Sequence, residues 1–141
     1  MGRDFNQPLA VGVLPSSLKQ LSFGARFNQP LETGVLPSLL QQLTFGMCFT
    51  QPLAVGVLPS SLKQLNFGAR FNQPLEAGVL PSLLQELKFG FDFNQSCRIR
   101  SLPQSVHTLS FHAITHRDIV QSWKKNAHSF VTIETYVEIA E

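Results

Sequence analysis

The sequence predicts a mainly β solenoid with one short parallel strand per unit and an extended convex arm returning on the far side, and three observations lead there. First, the string FNQPLETGVLPSLLQQLTFGMC (Phe27 to Cys48) recurs with few changes in units that start at Phe5, Phe27, Phe49, Phe71 and Phe93, each 22 residues after the last. A fixed period in that range marks stacked supersecondary units, each too small to bury its apolar face alone. Second, every unit holds one short segment of alternating polarity. Third, the rest of each unit holds two prolines with a glycine between them, which disfavours both a helix and a central strand.

The strand is read from Leu18-Lys19-Gln20-Leu21-Ser22-Phe23, where Leu21 and Phe23 fall on one face and Gln20 and Ser22 on the other. Its equivalents centre on Leu43, Leu65, Leu87 and Leu109. Gly24 follows directly, recurs as Gly46, Gly68 and Gly90, and is expected to supply backbone freedom for the turn out of the strand. The arm contains Pro8, Gly12 and Pro15, with Leu9, Val13 and Leu14 expected to point inward from the opposite wall. Between arm and strand, Asn6, Asn28, Asn72 and Asn94, with Thr50 as the exception, recur beside the phenylalanine column. Stacked polar groups next to a core need partners, so these five positions are expected to form a structural ladder in which side-chain amides bond the backbone of adjacent rungs.

A second, longer period overlies the first. Phe5 to Arg26 differs from Phe49 to Arg70 only at Asn6/Thr50 and Ser22/Asn66, and the second and fourth units share Glu32/Glu76 and the LPSLL variant. The array therefore reads as copied in two-unit blocks. Changes between near-twin units fall at the outward strand positions (Ser22 to Asn66, Gln42 to Glu86, Thr44 to Lys88), while Leu21, Phe23 and their equivalents stay fixed. The outward column Gln20/Ser22, Gln42/Thr44, Gln64/Asn66, Glu86/Lys88 and Thr108/Ser110 is accordingly the expected binding face for a protein partner.

Composition narrows the function classes. The 141 residues are 43% hydrophobic, and eleven basic against nine acidic side chains give a net charge of +2. That is far from the dense basic stripe needed to neutralise phosphates, so nucleic acid is not an expected partner. No apolar run is long enough to span a membrane, and MGRDFNQPL lacks the apolar stretch of a signal peptide, so a cytoplasmic chain that avoids membranes is expected. Without a secretory route, the Asn94-Gln95-Ser96 sequon is only the repeat motif followed by serine. Cys48 and Cys97 lie more than two units apart, so at ~4.8 Å per rung their separation exceeds the ~7 Å limit for a disulfide.

Candidate chemistry is sparse. His112 and His116 are four residues apart, but no glutamate or third ligand stands near them, and a surface role outweighs a zinc site. Glu32 and Glu76 share one position in alternate units, ~10 Å apart, slightly beyond the carboxylate spacing of an inverting glycosidase, and both recur through duplication. There is no phosphate loop, GxSxG or HExxH. No catalytic residue, metal or cofactor is expected, and a carbohydrate-acting solenoid enzyme is the least favoured of three classes, behind a protein-binding module and an inert or fragmentary array.

The motifs FNQPL, GVLPSSL and LxxLxFG, in this order and period, resemble the FNIP repeat, a relative of leucine-rich repeats, over Gly2 to about Ala113. LPSSLKQLSF is also similar to the short LP-type leucine-rich repeats of bacteria. The resemblance implies a right-handed, curved, leucine-rich-repeat-like solenoid and an interaction module of the kind often joined to an F-box or kinase domain, neither of which is visible here. Two departures stand out. The fifth unit, FNQSCRIRSLPQSVHTLSFHAI, has Ser96 for the proline and Arg100 and His112 for the glycines, as in a degenerate terminal rung. Gly2-Arg3-Asp4-Phe5 aligns with Gly24 to Phe27, so the chain starts in mid-unit, as expected of a truncated or fragmentary array, and a monomer or part of a longer array is expected.

Two domains are drawn on this basis: residues 2–113 as the five-unit solenoid, and 114–141 as a C-terminal cap or unrelated tail. In the latter, Thr115 is placed to cap a helix from His116 to about Ala127 with Trp123 as a plug, and Val131, Ile133, Thr135, Val137 and Ile139 alternate like a strand.

Overall fold

The structure is a computed structural model and describes residues 1–95, 102–112, 118, 121 and 131–136. Among the described residues six strands, β1 (Gln20–Ser22), β2 (Gln42–Thr44), β3 (Gln64–Asn66), β4 (Glu86–Lys88), β5 (Thr108–His112) and β6 (Thr132–Tyr136), form one sheet in chain order. Every neighbouring pair is parallel. From β1 to β5 the register advances by one repeat, Leu21 pairing with Leu43, Leu43 with Leu65, Leu65 with Leu87 and Leu87 with Leu109. Parallel pairing requires the chain to travel round and return on the same side, and each rung does so through tight turns.

The return arm departs from the extended path expected of it. In the second rung, Val35 N donates to Glu32 O at 3.2 Å and Leu40 N to Pro37 O at 3.1 Å, so the arm is largely two β-turns in succession. The first has Gly34 at its third position with φ +87°, as do Gly12, Gly56 and Gly78 in the other rungs, with φ between +85° and +88°. This left-handed geometry is the one a type II turn demands there, and an L side chain resists it. Gly46 and its equivalents have another purpose. None has a positive φ, but a Cβ on Gly46 would overlap the carbonyl oxygen of Gly24 in the rung before, and Gly68 stands against Gly46 in the same way. These glycines let two backbones approach where the chain leaves the sheet; they do not supply left-handed freedom.

That distinction explains why the fifth strand is longer. β1 to β4 span three residues each, whereas β5 spans five and runs on through Phe111 and His112. His112 occupies the close-approach position of Gly90, where a side chain cannot enter the corner, so the strand continues straight and pairs Phe111 with Thr135 and His112 with Tyr136. The tail therefore extends the sheet: β6 is a sixth parallel strand, and its Val131 and Ile133 pack on the core. The expected helix finds no support among the described residues: of its span only Asp118 and Gln121 are described, both helical in conformation. The rest of that segment, with Trp123, lies outside the described residues, as do Cys97, Ser96, Arg100, His116, Val137 and Ile139.

Leucines and phenylalanines fill the interior. Phe23, Phe45, Phe67, Phe89 and Phe111 form one stacked column with centroids 5.4–5.7 Å apart, and Phe5, Phe27, Phe49, Phe71 and Phe93 form another at 6.0–6.3 Å. The columns touch across each corner at 3.8–4.0 Å. What stacking does is visible at one position: Val35, Val57 and Val79 are 4%, 3% and 2% exposed, whereas Val13, with no full rung before it, is 61% exposed. Each such valine contributes about 1.5–3 kcal/mol through burial that the neighbouring rung provides.

A candidate interaction face on the strands

The pleat of each short strand puts its central leucine in the core and its two flanking residues outside. Leu21, Leu43, Leu65, Leu87 and Leu109 are buried, while Gln20, Ser22, Gln42 and Glu86 are exposed and Thr44, Gln64, Asn66, Lys88, Thr108 and Ser110 half-buried. Parallel register then lines these ten side chains into two adjacent columns, Gln42 beside Gln64 beside Glu86, and Thr44 beside Asn66 beside Lys88. Eight of them, all but Gln20 and Ser22, border a shallow hollow of about 250 Å³ over β2 to β6.

Glu134 of β6 also lines this hollow and was missing from the sequence-based column. Its signal was present in the alternation of Val131 and Ile133, which leaves Thr132 and Glu134 on the opposite face; absent was the register, Leu109 with Ile133, that places Glu134 beside Ser110. The charged end of the face is organised by Tyr136. Its hydroxyl donates to Phe89 O at 2.6 Å, and the Lys88 ammonium lies 3.8 Å from its ring centroid, within range of a cation–π attraction. Three rungs of carboxamides and hydroxyls thus pass into a cluster containing Glu86, Lys88 and Glu134. Such a face can exchange hydrogen bonds with a polypeptide surface and select it by charge at one end.

The asparagine series lies on the flank of the core, half-buried or exposed, and not inside it. Asn28 N donates to Asn6 Oδ1 at 2.9 Å, Thr50 N to Asn28 Oδ1 at 2.9 Å, and Asn94 N to Asn72 Oδ1 at 2.8 Å. The glutamine that follows reinforces each step, Gln29 Nε2 reaching Asn6 O and Gln51 Nε2 reaching Asn28 O. At Thr50 the carboxamide is lost, and that junction retains the bond from Gln73 Nε2 to Thr50 O at 3.0 Å.

Other candidate positions do not converge. Glu32 and Glu76 each open an exposed type II turn on the convex side, away from the strand face. Cys48 is a half-buried free thiol at the corner after β2. His112 departs from the surface role expected of it: it is 5% exposed, edge-on to the rings of Phe91 and Tyr136, with Nδ1 unbonded. Among the described residues no three His, Cys, Asp or Glu side chains are grouped to hold a metal, and no helix is long and apolar enough to cross a membrane.

Comparison with known proteins agrees with this geometry. No curated protein matches the chain. Among solved structures it is similar to CroV588, described as a novel circular LRR protein, with 39% sequence identity and a TM-score of 0.87. That match covers 95% of this chain but 20% of the other, so the chain spans about a fifth of that protein's length. The FNIP repeat model matches residues 5–48, 27–70, 49–92 and 71–113. With four overlapping matches over the same rungs that stack in register, the chain belongs to the FNIP repeat family.

Proposed function

We propose that the chain is a non-catalytic protein–protein interaction module, working in the cytoplasm, that meets its partner on the strand face through Gln20, Ser22, Gln42, Thr44, Gln64, Asn66, Glu86, Lys88, Thr108 and Ser110. The observation that carries this reading is the contrast between the two sides of each strand. The central leucine is buried in all five rungs and does not vary, while the flanking column is solvent-accessible and holds three of the seven differences between near-twin units, Ser22/Asn66, Gln42/Glu86 and Thr44/Lys88. Substitution at these positions changes what the face recognises without disturbing the stack. A polypeptide partner, not nucleic acid or membrane, fits a face of mixed amides, hydroxyls and a few charges of both signs.

Six strands at ~4.8 Å give a face only ~24 Å wide between its outermost strands, short of what the ~800 Å² per partner of a stable complex needs. Binding is accordingly weak and strengthens where several such faces act together. The test compares Gln42→Lys/Gln64→Lys/Glu86→Lys with a matched lysine triple on the convex turns at Thr33, Val55 and Ala77, in pull-downs from source cells. Loss of partners with the strand-face triple alone supports the proposal. Loss with the convex triple alone, or capture of nothing specific by the unmodified chain, overturns it, and the latter outcome favours an inert array.

A further inference from the structure

The corners that follow the strands carry a pattern that the strand face does not use. Three are turns closed by phenylalanine on glycine, Phe27 N to Gly24 O at 3.2 Å, Phe49 N to Gly46 O at 3.3 Å and Phe71 N to Gly68 O at 3.4 Å, and the fourth turns at Phe91 and Asp92. Successive corners are tied together by Cys48 N to Ala25 O at 2.9 Å, Arg70 N to Met47 O at 3.1 Å and Asp92 N to Ala69 O at 2.8 Å. They therefore stack in strict order. The first corner position reads Ala25, Met47, Ala69, Phe91, with Met47 49% and Phe91 45% exposed and both alanines half-buried. The result is a ridge of two large apolar side chains alternating with two notches, one rung apart. The second position reads Arg26, Cys48, Arg70, Asp92.

These two rows are self-complementary under one operation. A two-fold axis perpendicular to the stack, midway between the second and third corners, reverses their order, so Met47 meets Ala69 of a second copy and Phe91 meets its Ala25. The same axis sets Arg26 against Asp92 in both directions and Cys48 against Arg70, so no like charges meet. We propose that this corner column is a docking surface for a second copy of the chain, forming an isologous dimer with Met47 and Phe91 seated in the alanine notches and Arg26 paired with Asp92. The sequence leads to the expectation of a monomer or part of a longer array.

A second copy fits because it has the same rung spacing. An extended strand advances ~6.8 Å every second residue and leaves step within one rung; an α-helix, with its ~5.4 Å pitch, drifts by ~2 Å over three. Arg26 is also available for the exchange. Its pair with Asp4 at 3.2 Å is 71% and 73% exposed, and an ion pair so solvated contributes little. The two-fold closes the assembly at two copies, because the same patch is used on both. The ridge is only ~15 Å long, so association is weak and concentration-dependent.

Sedimentation equilibrium from low micromolar to near-millimolar concentration tests the proposal. The unmodified chain should approach, and not pass, the mass of a dimer. Ala25→Met/Ala69→Met fills both notches with the residue that the array already accommodates at Met47; it should keep the same melting temperature and circular dichroism but remain monomeric. Asp92→Arg should weaken association at least about tenfold, and the exchange Arg26→Asp/Asp92→Arg should restore it. A chain monomeric throughout, growth beyond a dimer, a notch-filled variant that associates normally, or an exchanged variant as weak as the single reversal would each overturn it. The strand-face lysine triple should leave the dimer intact, which separates this surface from the proposed partner face.

Discussion

Single residues in this chain matter according to what the next rung places against them. Gly46 has the backbone of Gly24 where its own side chain would be, and backbone cannot move aside as a flexible side chain can. Asn28 satisfies Thr50 N and Gln51 Nε2 from the neighbouring rung, groups that lose their partner when the carboxamide is removed. Gln20 is exposed on the strand face and bears on neither. Thermal unfolding should therefore rank three alanine variants: Gly46→Ala worst, at about 3 kcal/mol or more; Asn28→Ala intermediate, at about 1–3 kcal/mol; Gln20→Ala within about 0.5 kcal/mol. Equal losses for Asn28→Ala and Gln20→Ala would remove the ladder from the account of stability. The alternation of Ser61 and Ser105 with Leu39 and Leu83 follows the same rule. Ser61 Oγ reaches Leu40 O, and Ser105 Oγ reaches Leu84 O, both at 2.6 Å, while Leu39 and Leu83 stand in solvent at 54% and 55% exposure.

At the scale of an element, the strands are short because the chain must leave the sheet at each glycine, and only the substitution at His112 lets β5 run on. That extension creates the seat for β6, whose last pairing is His112 with Tyr136. Tyr136 then ties β6 back past β5 to Phe89 O. Removing the hydroxyl with Tyr136→Phe should cost about 0.5–1.5 kcal/mol and raise amide exchange in β6 before it does so in β2 and β3. Uniform loss of protection along the sheet would show that the bond does not secure the last strand. The cap is thus a continuation of the array by pairing, although it does not continue it in sequence.

For the whole molecule, stability is close to a sum over rungs and the interfaces between them. Leu65 is enclosed by a rung on either side and is 2% exposed, while Leu21, in the first strand, is 7% exposed. Leu65→Ala should cost about 2–5 kcal/mol, and Leu21→Ala distinctly less, because its cavity opens on one interface only. Denaturant titrations of the two variants would decide, and an equal cost would mean that the array unfolds without regard to position. Both surfaces argued above, the strand face and the corner column, depend on this rigidity, since each is a row of side chains held at rung spacing.

Much was legible in the residues because the array repeats itself. One period located five strands on Leu21, Leu43, Leu65, Leu87 and Leu109, and alternation within each separated the buried leucine from Gln20 and Ser22, since pleat and parallel stacking leave no other outcome. Only the tertiary structure could tell the two kinds of glycine apart: Gly34 needs a left-handed φ, whereas Gly46 yields space to another rung, and a single unit contains no trace of the neighbour that requires it. The same holds for the tail. Thr132 and Glu134 alternate with Ile133 in the sequence, but their place beside Thr108 and Ser110 follows from how β5 outruns its corner and accepts a sixth strand. Local pattern determined which side chains point outward, and contact between rungs decided which of them share a surface.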